Sequence, residues 1–206
     1  MPKKKSPSKR ARARVRNPPT LKNCRIAVVG LNALGYRIAQ LLVVSGVDAL
    51  KLVDHRLVTK RDQLRDGYDA IDIGRPKAHA AVQRCHEINP RIEITGHAGR
   101  SEPDLSGVDV VFVCGNATRP DHRDANAEAW VHILFTASIG LSVRIEALRT
   151  DKKRKSSRLH CPADASIVAG IVVGQFTKWR AGDQRRRTQR IDIDALTIRI
   201  TARPQR

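Results

Sequence analysis

Aromatic residues are scarce in this chain of 206 residues, with two Trp, two Tyr and three Phe. A core must therefore be assembled from Val, Ile, Leu and Ala. Four cysteines, Cys24, Cys85, Cys114 and Cys161, are scattered without a Cys-x-x-Cys pair. That spacing excludes a zinc site of the usual kind and a disulfide framework. No run of 18 apolar residues occurs, so no spanning helix and no membrane partner are expected. The basic N-terminal segment lacks the apolar stretch of a secretory signal, which together with the cysteine usage predicts a cytoplasmic protein. Acids are also few: 39 Lys and Arg face 20 Asp and Glu, a formal net charge of +19. What is present is a 41% apolar chain, long enough for one ordinary domain.

The positive charge is concentrated. Residues 1–17 carry Lys3, Lys4, Lys5, Lys9, Arg10, Arg12, Arg14 and Arg16 without an acid, +8 in all. Residues 151–158 add +4 and residues 178–190 add +5, which leaves only +2 for everything else. A segment rich in Pro, Ser and alternating Arg-Ala cannot bury enough apolar area to order itself. The reading is a disordered basic tail at 1–20 and a folded domain at 21–206. Such a tail attracts polyanions, nucleic acid among them, by counterion release. No aromatics interleave with the basic runs, so base stacking is not expected.

From Asn23 the texture changes. Arg25 to Gly30 is a continuous apolar run ending in Gly, the pattern of a buried parallel strand. Residues 34–46 place Leu34, Ile38, Leu41, Leu42 and Ser45 on one helical face, closed by Gly46. Ala49 to Asp54 reads as a second strand and residues 55–72 as irregular. Pro76 to Asn89 is a predicted helix. Strands are expected at Arg91 to Thr95, Val108 to Cys114, His132 to Ala137 and Val143 to Leu148. A helix is expected at 120–130, a loop at 151–160 and a buried helix from Ile167 to Trp179. Ile191 to Thr201 alternates as a late antiparallel strand pair or edge strand. Alternating strands and helices with Gly after the first strand predict an α/β fold around a doubly wound, mostly parallel sheet.

The first strand, turn and helix are the usual place for a phosphate cradle. Gly30-Leu-Asn-Ala-Leu-Gly35 puts Gly where the turn is tight and where helix and strand approach closely. Asn32 stands at the middle position, where it tolerates left-handed dihedrals but crowds a pyrophosphate. Asp54 ends the second strand, placed to accept hydrogen bonds from ribose hydroxyls.

Several blocks carry a family resemblance. Asp72-Ile-Gly-Arg-Pro-Lys77-Ala and Ile88-Asn-Pro-Arg-Ile-Glu-Ile94 resemble the "D-I-G-x-P-K-A" and "I-N-P-x-V-x-V" blocks of the ThiF/MoeB/HesA family, relatives of ubiquitin-activating enzymes. Val43 to Asp54, Asp104 to Val113, Ile167 to Lys178 and Ile193 to Ile200 resemble further blocks in the same order. The resemblance runs from about Lys22 to Arg203 and implies a Rossmann-like, ThiF-type fold.

It also implies chemistry. Members activate a C-terminal carboxylate, that of a ubiquitin-like or sulfur-carrier protein, by attack on the α-phosphate of ATP. Lys77 matches the family's phosphate lysine, and Arg65 the arginine of its "S-N-L-N-R-Q" segment, eroded here to Arg61-Asp-Gln-Leu-Arg65. These two are the candidate catalytic residues. Gly30, Asn32, Gly35, Asp54, Lys77 and Asn116 are the candidate nucleotide ligands. The departures concern metal and charge. Cys114-Gly115-Asn116 stands where the family's "T-D-N" supplies a metal aspartate, so magnesium is expected to bind weakly or not at all, and no metal ligand is assigned. Asp62 replaces an asparagine beside the phosphates, and Arg56 replaces the second Asp of a "D-x-D". Cys161, with His160 beside it, occupies the end of a shortened crossover loop that carries a transfer cysteine in other members.

Two functions remain open on sequence. One is an ATP-dependent adenylyltransferase, which the resemblance implies to be a homodimer. The other is a degenerate ThiF-fold binding protein that uses its basic segments for nucleic acid or an acidic partner protein.

Overall fold

The computed structural model describes residues 21–114 and 162–181 with their side chains, and residues 129–133, 136–139, 144–147, 187–192 and 197–202 as strands. The expected tail at 1–20, the loop at 151–160, Asn116 and Cys161 lie outside the described residues.

Five parallel strands form the block that positions the site. They are β1 (Arg25–Val29), β2 (Ala49–Val53), β3 (Glu93–His97), β4 (Val110–Cys114) and β5 (Ala129–Ile133), in the order β3-β2-β1-β4-β5. The chain winds outward from β1 to β3, then crosses to β4 on the other side of β1. This reversal opens a crevice beyond the carboxyl ends of β1 and β4, where doubly wound folds bind their ligands. The sheet continues through β6 (Thr136–Ile139), β7 (Arg144–Ala147), β8 (Arg187–Asp192) and β9 (Thr197–Ala202). Of these junctions only β7 to β8 is parallel. The expected late antiparallel pair is β8 with β9.

Among the described residues the helices are α1 (Ala33–Val44), α2 (Lys60–Asp66), α3 (Lys77–Ile88) and α4 (Pro162–Arg180), with a 3-10 turn at Ala70–Asp72. Alternation along each strand sorts the core into two faces. Ile26 and Val28 of β1, Leu50 and Leu52 of β2, and Val110 and Phe112 of β4 pack under α1, α3 and α4 through Ile38, Leu42, Ala81, Val172 and Phe176. Phe112 meets Phe176 edge to face with centroids 5.2 Å apart. Their neighbours Ala27, Val29, Val53, Val111 and Val113 face the other way, against Leu105 and Val108.

Three expectations differ from the structure. Residues 55–72 are not irregular, because α2 and the 3-10 turn lie there. α2 is polar and buries none of its residues, so hydrophobic periodicity carried no trace of it. It is held at its start by a capping box in which Thr59 and Asp62 exchange side-chain and backbone hydrogen bonds. His132 to Ala137 is not one strand but the end of β5 and the start of β6, antiparallel to each other. The apolar run Ile133-Leu-Phe135 contains no Gly or Pro to mark the break. The helix expected at 120–130 falls largely outside the described residues, and its last two positions, Ala129 and Trp130, begin β5.

Candidate functional site

β1 hands over to α1 through a turn that only glycine permits. Gly30 has φ 88° and donates its N–H to Val53 O at 2.8 Å. At Gly35, a Cβ would sit 1.9 Å from the Gly30 carbonyl oxygen and 3.1 Å from Cys114 Cβ. Helix and turn therefore touch backbone to backbone, with the Cys114 side chain of β4 packed against them. Asn32 is the N-cap of α1, and its Oδ1 accepts from Leu34 N and Gly35 N, each at 3.1 Å. Those are two of the amides that a phosphate would otherwise use at a helix start. The asparagine side chain puts a neutral oxygen in the place of an anionic one.

Asp54 follows β2 and is 4% exposed. Its Oδ2 accepts from Leu31 N at 2.7 Å and Arg56 Nη2 at 2.6 Å, while Oδ1 accepts from Arg56 N and Arg56 Nε at 2.9 Å each. Burial alone would raise its pKa, but the Arg56 and backbone hydrogen bonds outweigh burial and hold the carboxyl below its ordinary range. The substitution noted at Arg56 thus places a cation on the Asp54 carboxylate itself.

Lys77, the first residue of α3, is 2% exposed. Its backbone N–H donates to Arg56 O at 2.9 Å, which ties α3 to the strand-end loop. Its ammonium meets Asp62 Oδ1 at 2.5 Å and Asp66 Oδ2 at 3.4 Å, both from α2, and lies 5.3 Å over the Tyr68 ring. A buried cation demands this compensation. The two acids divide unequally. Burial pushes Asp62 up, but hydrogen bonds from Lys77 and Thr59 outweigh it and lower its pKa to about 2. Asp66 goes the other way, to about 6, driven first by burial and then by its bond to Asp62, against the pull of Lys77. Tyr68 closes the cluster: its hydroxyl donates to Leu31 O at 2.8 Å and its ring stacks on Tyr36 at 4.1 Å.

The structure therefore gathers Gly30, Asn32, Gly35, Asp54 and Lys77 at one end of the sheet, linked through Leu31 and Tyr68. Arg65 is on α2, half-buried, one residue before Asp66. Asn116 is not among the described residues. Sequence reasoning missed Asp66, Tyr68 and Tyr36. A signal existed for Asp66, since Asp62 and Asp66 share a helix face at i,i+4 spacing, but only once α2 is recognised. Cys114, at the end of β4, and Cys85, in α3, are buried, and burial pushes both thiols up, that of Cys85 to about 12. No cluster of three metal-ligating side chains occurs among the described residues. With Asp62 and Asp66 both spent on Lys77, the donors among the described residues do not fit a magnesium ion. No described helix is long and apolar enough to cross a membrane.

Comparison with known proteins adds to this geometry. SUMO-activating enzyme subunit 1 of Homo sapiens is 34% identical over 79 residues, covering 36% of this chain and 22% of that protein. The Danio rerio protein of the same name is 32% identical over 87 residues, covering 41% and 25%. The match thus spans a quarter or less of these curated relatives' own length. Among solved structures, PaaA superposes with a TM-score of 0.68 at 19% identity, over 88% of this chain and 64% of that one. Escherichia coli MccB with ATP superposes with a TM-score of 0.65 at 15% identity, over 90% and 66%. Both show a shared fold. The profile of the ThiF family matches residues 10–166, well over half of the sequence, and the chain belongs to the ThiF family.

Proposed function

We propose that this chain binds ATP and transfers its adenylyl group to a carboxylate, that of a ubiquitin-like or sulfur-carrier protein. The observation that carries this reading is the meeting of Asp54 and Lys77 beside the Gly30–Gly35 turn, bridged by Leu31 and Tyr68. In the proposed reaction a carboxylate oxygen attacks the α-phosphorus of ATP. A mixed anhydride forms, the bond to the β-phosphate oxygen breaks, and pyrophosphate departs with that electron pair. Asp54 accepts the ribose hydroxyls, Lys77 and Arg65 neutralise charge growing on the phosphates, Asn32 lines the turn, and Asn116 is a further nucleotide ligand that the resemblance implies. The name of the SUMO-activating relatives and the ATP present in the MccB structure support the reading. The resemblance supports a second copy of the chain as the partner protomer.

Titration calorimetry with ATP tests it. The wild type is expected to bind, and Asp54→Ala and Lys77→Ala to weaken binding at least tenfold. Unchanged affinity in both variants overturns the assignment.

A second reading has its own support. Asp54 and Lys77 each already hold an internal counter-ion, as they would in a module that kept the fold and lost the reaction, binding nucleic acid through residues 1–20 and the other basic segments while residues 21–206 serve as the domain. No ATP binding, together with salt-dependent binding to duplex DNA, would favour it.

A further inference from the structure

Helix α2 lies against Lys77 at the edge of the candidate site. It presents two carboxylates, Asp62 and Asp66, to the one buried ammonium of the site. Its remaining structure is slight. It has seven residues, buries none of them, and leaves Leu64 66% exposed. One end is fixed by the Thr59 capping box and the other turns at Gly67, whose φ of 85° provides a left-handed stop. Little apolar area is therefore lost if α2 moves. The same substitution of internal groups for ligand atoms recurs at two neighbouring points: Asn32 Oδ1 on the α1 amides, and Arg56 on the Asp54 carboxylate.

We propose that α2 is an autoinhibitory latch, with Asp62 and Asp66 holding Lys77 where a nucleotide's phosphates would, so that polyphosphate binds only when α2 releases it. The proposal rests on the nucleotide-binding reading above. Its logic is electrostatic. A phosphate chain cannot approach Lys77 while two carboxylates stand against it, because like charges at this range repel in a site with little water. Affinity is then reduced by the fraction of molecules in which the latch is open. Asp62 is the stronger arm, since its second oxygen also accepts from Thr59 Oγ1 at 2.6 Å.

The test compares wild type with Asp62→Asn, Asp66→Asn and the double variant. Calorimetry is run with ATP and, separately, with inorganic triphosphate, which lacks a ribose for Asp54. Reductive methylation of Lys77, read by mass spectrometry, reports whether the amine is released. Thermal melts confirm folding, and the single variants keep one counter-ion on Lys77 if the double variant fails to fold. The latch predicts at least tenfold tighter binding of both ligands in the double variant, a smaller gain in each single variant with Asp62→Asn the larger, and faster methylation of Lys77. Equal affinities in wild type and variants, with ATP bound by all, would overturn the latch and leave the nucleotide reading standing. Equal methylation rates would overturn it as well. Absence of binding by every protein would overturn the nucleotide reading, and the latch with it.

Discussion

Asp66 and Lys77 show how much a single residue's chemistry depends on one neighbour. The raised pKa of Asp66, about 6, means that its ionisation works against the fold. Below its unfolded value the group is protonated in both states and neutral in effect. Between that value, near 3.8, and about 6 the unfolded chain gives up its proton while the folded protein keeps it, so stability is lost across this window and no further above it. Asp66→Asn is therefore expected to match the wild type in urea unfolding at pH 3 and to exceed it by about 2 kcal/mol at pH 8. Lys77→Met makes the opposite bet. It leaves two carboxylates facing each other, and a cost of about 3 kcal/mol is expected at pH 8. At pH 5 the cost shrinks, because Asp66 takes up a proton. A loss independent of pH would show that Lys77 acts by packing alone. Asp54 and Lys77 were legible in the sequence because each stands at a strand or helix boundary inside a block of familiar spacing. Their internal partners were less so. Arg56 and Asp62 were visible as substitutions, but only three dimensions show that each closes on the residue it adjoins.

At the scale of elements, the strands and helices that could be read are those with apolar runs or periodicity: β1, α1, β2, α3, β4 and α4, and, with shifted bounds, β3, β7 and the β8–β9 pair. α2 could not be read, since capping and ion pairs, not burial, hold it in place. The β5–β6 boundary hid inside a continuous apolar run. The start of α1 offers two contrasting substitutions. Asn32→Gly removes the cap at a cost of only a few tenths of a kcal/mol. It also bares the Leu34 and Gly35 amides, so ATP is expected to bind more tightly in calorimetry, and weaker binding would show that the asparagine is itself a ligand. Gly35→Ala has no such latitude. Its methyl would fall 1.9 Å from a backbone oxygen, and a loss of about 3 kcal/mol or more is expected by thermal melting.

Over the whole molecule, charge and fold are separable. The sequence carries +19, yet +8 of it lies in residues 1–17 and only +2 lies outside the three basic segments. If those eight cations serve a polyanion, log affinity for duplex DNA should fall against log salt with a slope of roughly −3 to −6. Removing residues 1–17 should abolish most of that slope and leave the melting temperature nearly unchanged. An equal slope in the shortened protein would move attention to residues 151–158.

The contact of Gly35 with the Gly30 carbonyl has a consequence for how such chains drift. Both glycines are needed for the polypeptide to pass itself, whatever occupies the crevice, so selection for a folded product alone would retain them. The buried polar side chains around them serve the fold too, through their internal partners, so their obligation is shared. A library of variants sorted once for foldedness and once for nucleotide capture would separate the two kinds of position. Gly30 and Gly35 would be depleted of substitutions equally in both sorts, while Asp54 and Lys77 would be depleted more strongly in the second than in the first. The glycines thus record the ancestry of the scaffold, and its present occupation is written in the acids and bases that surround them.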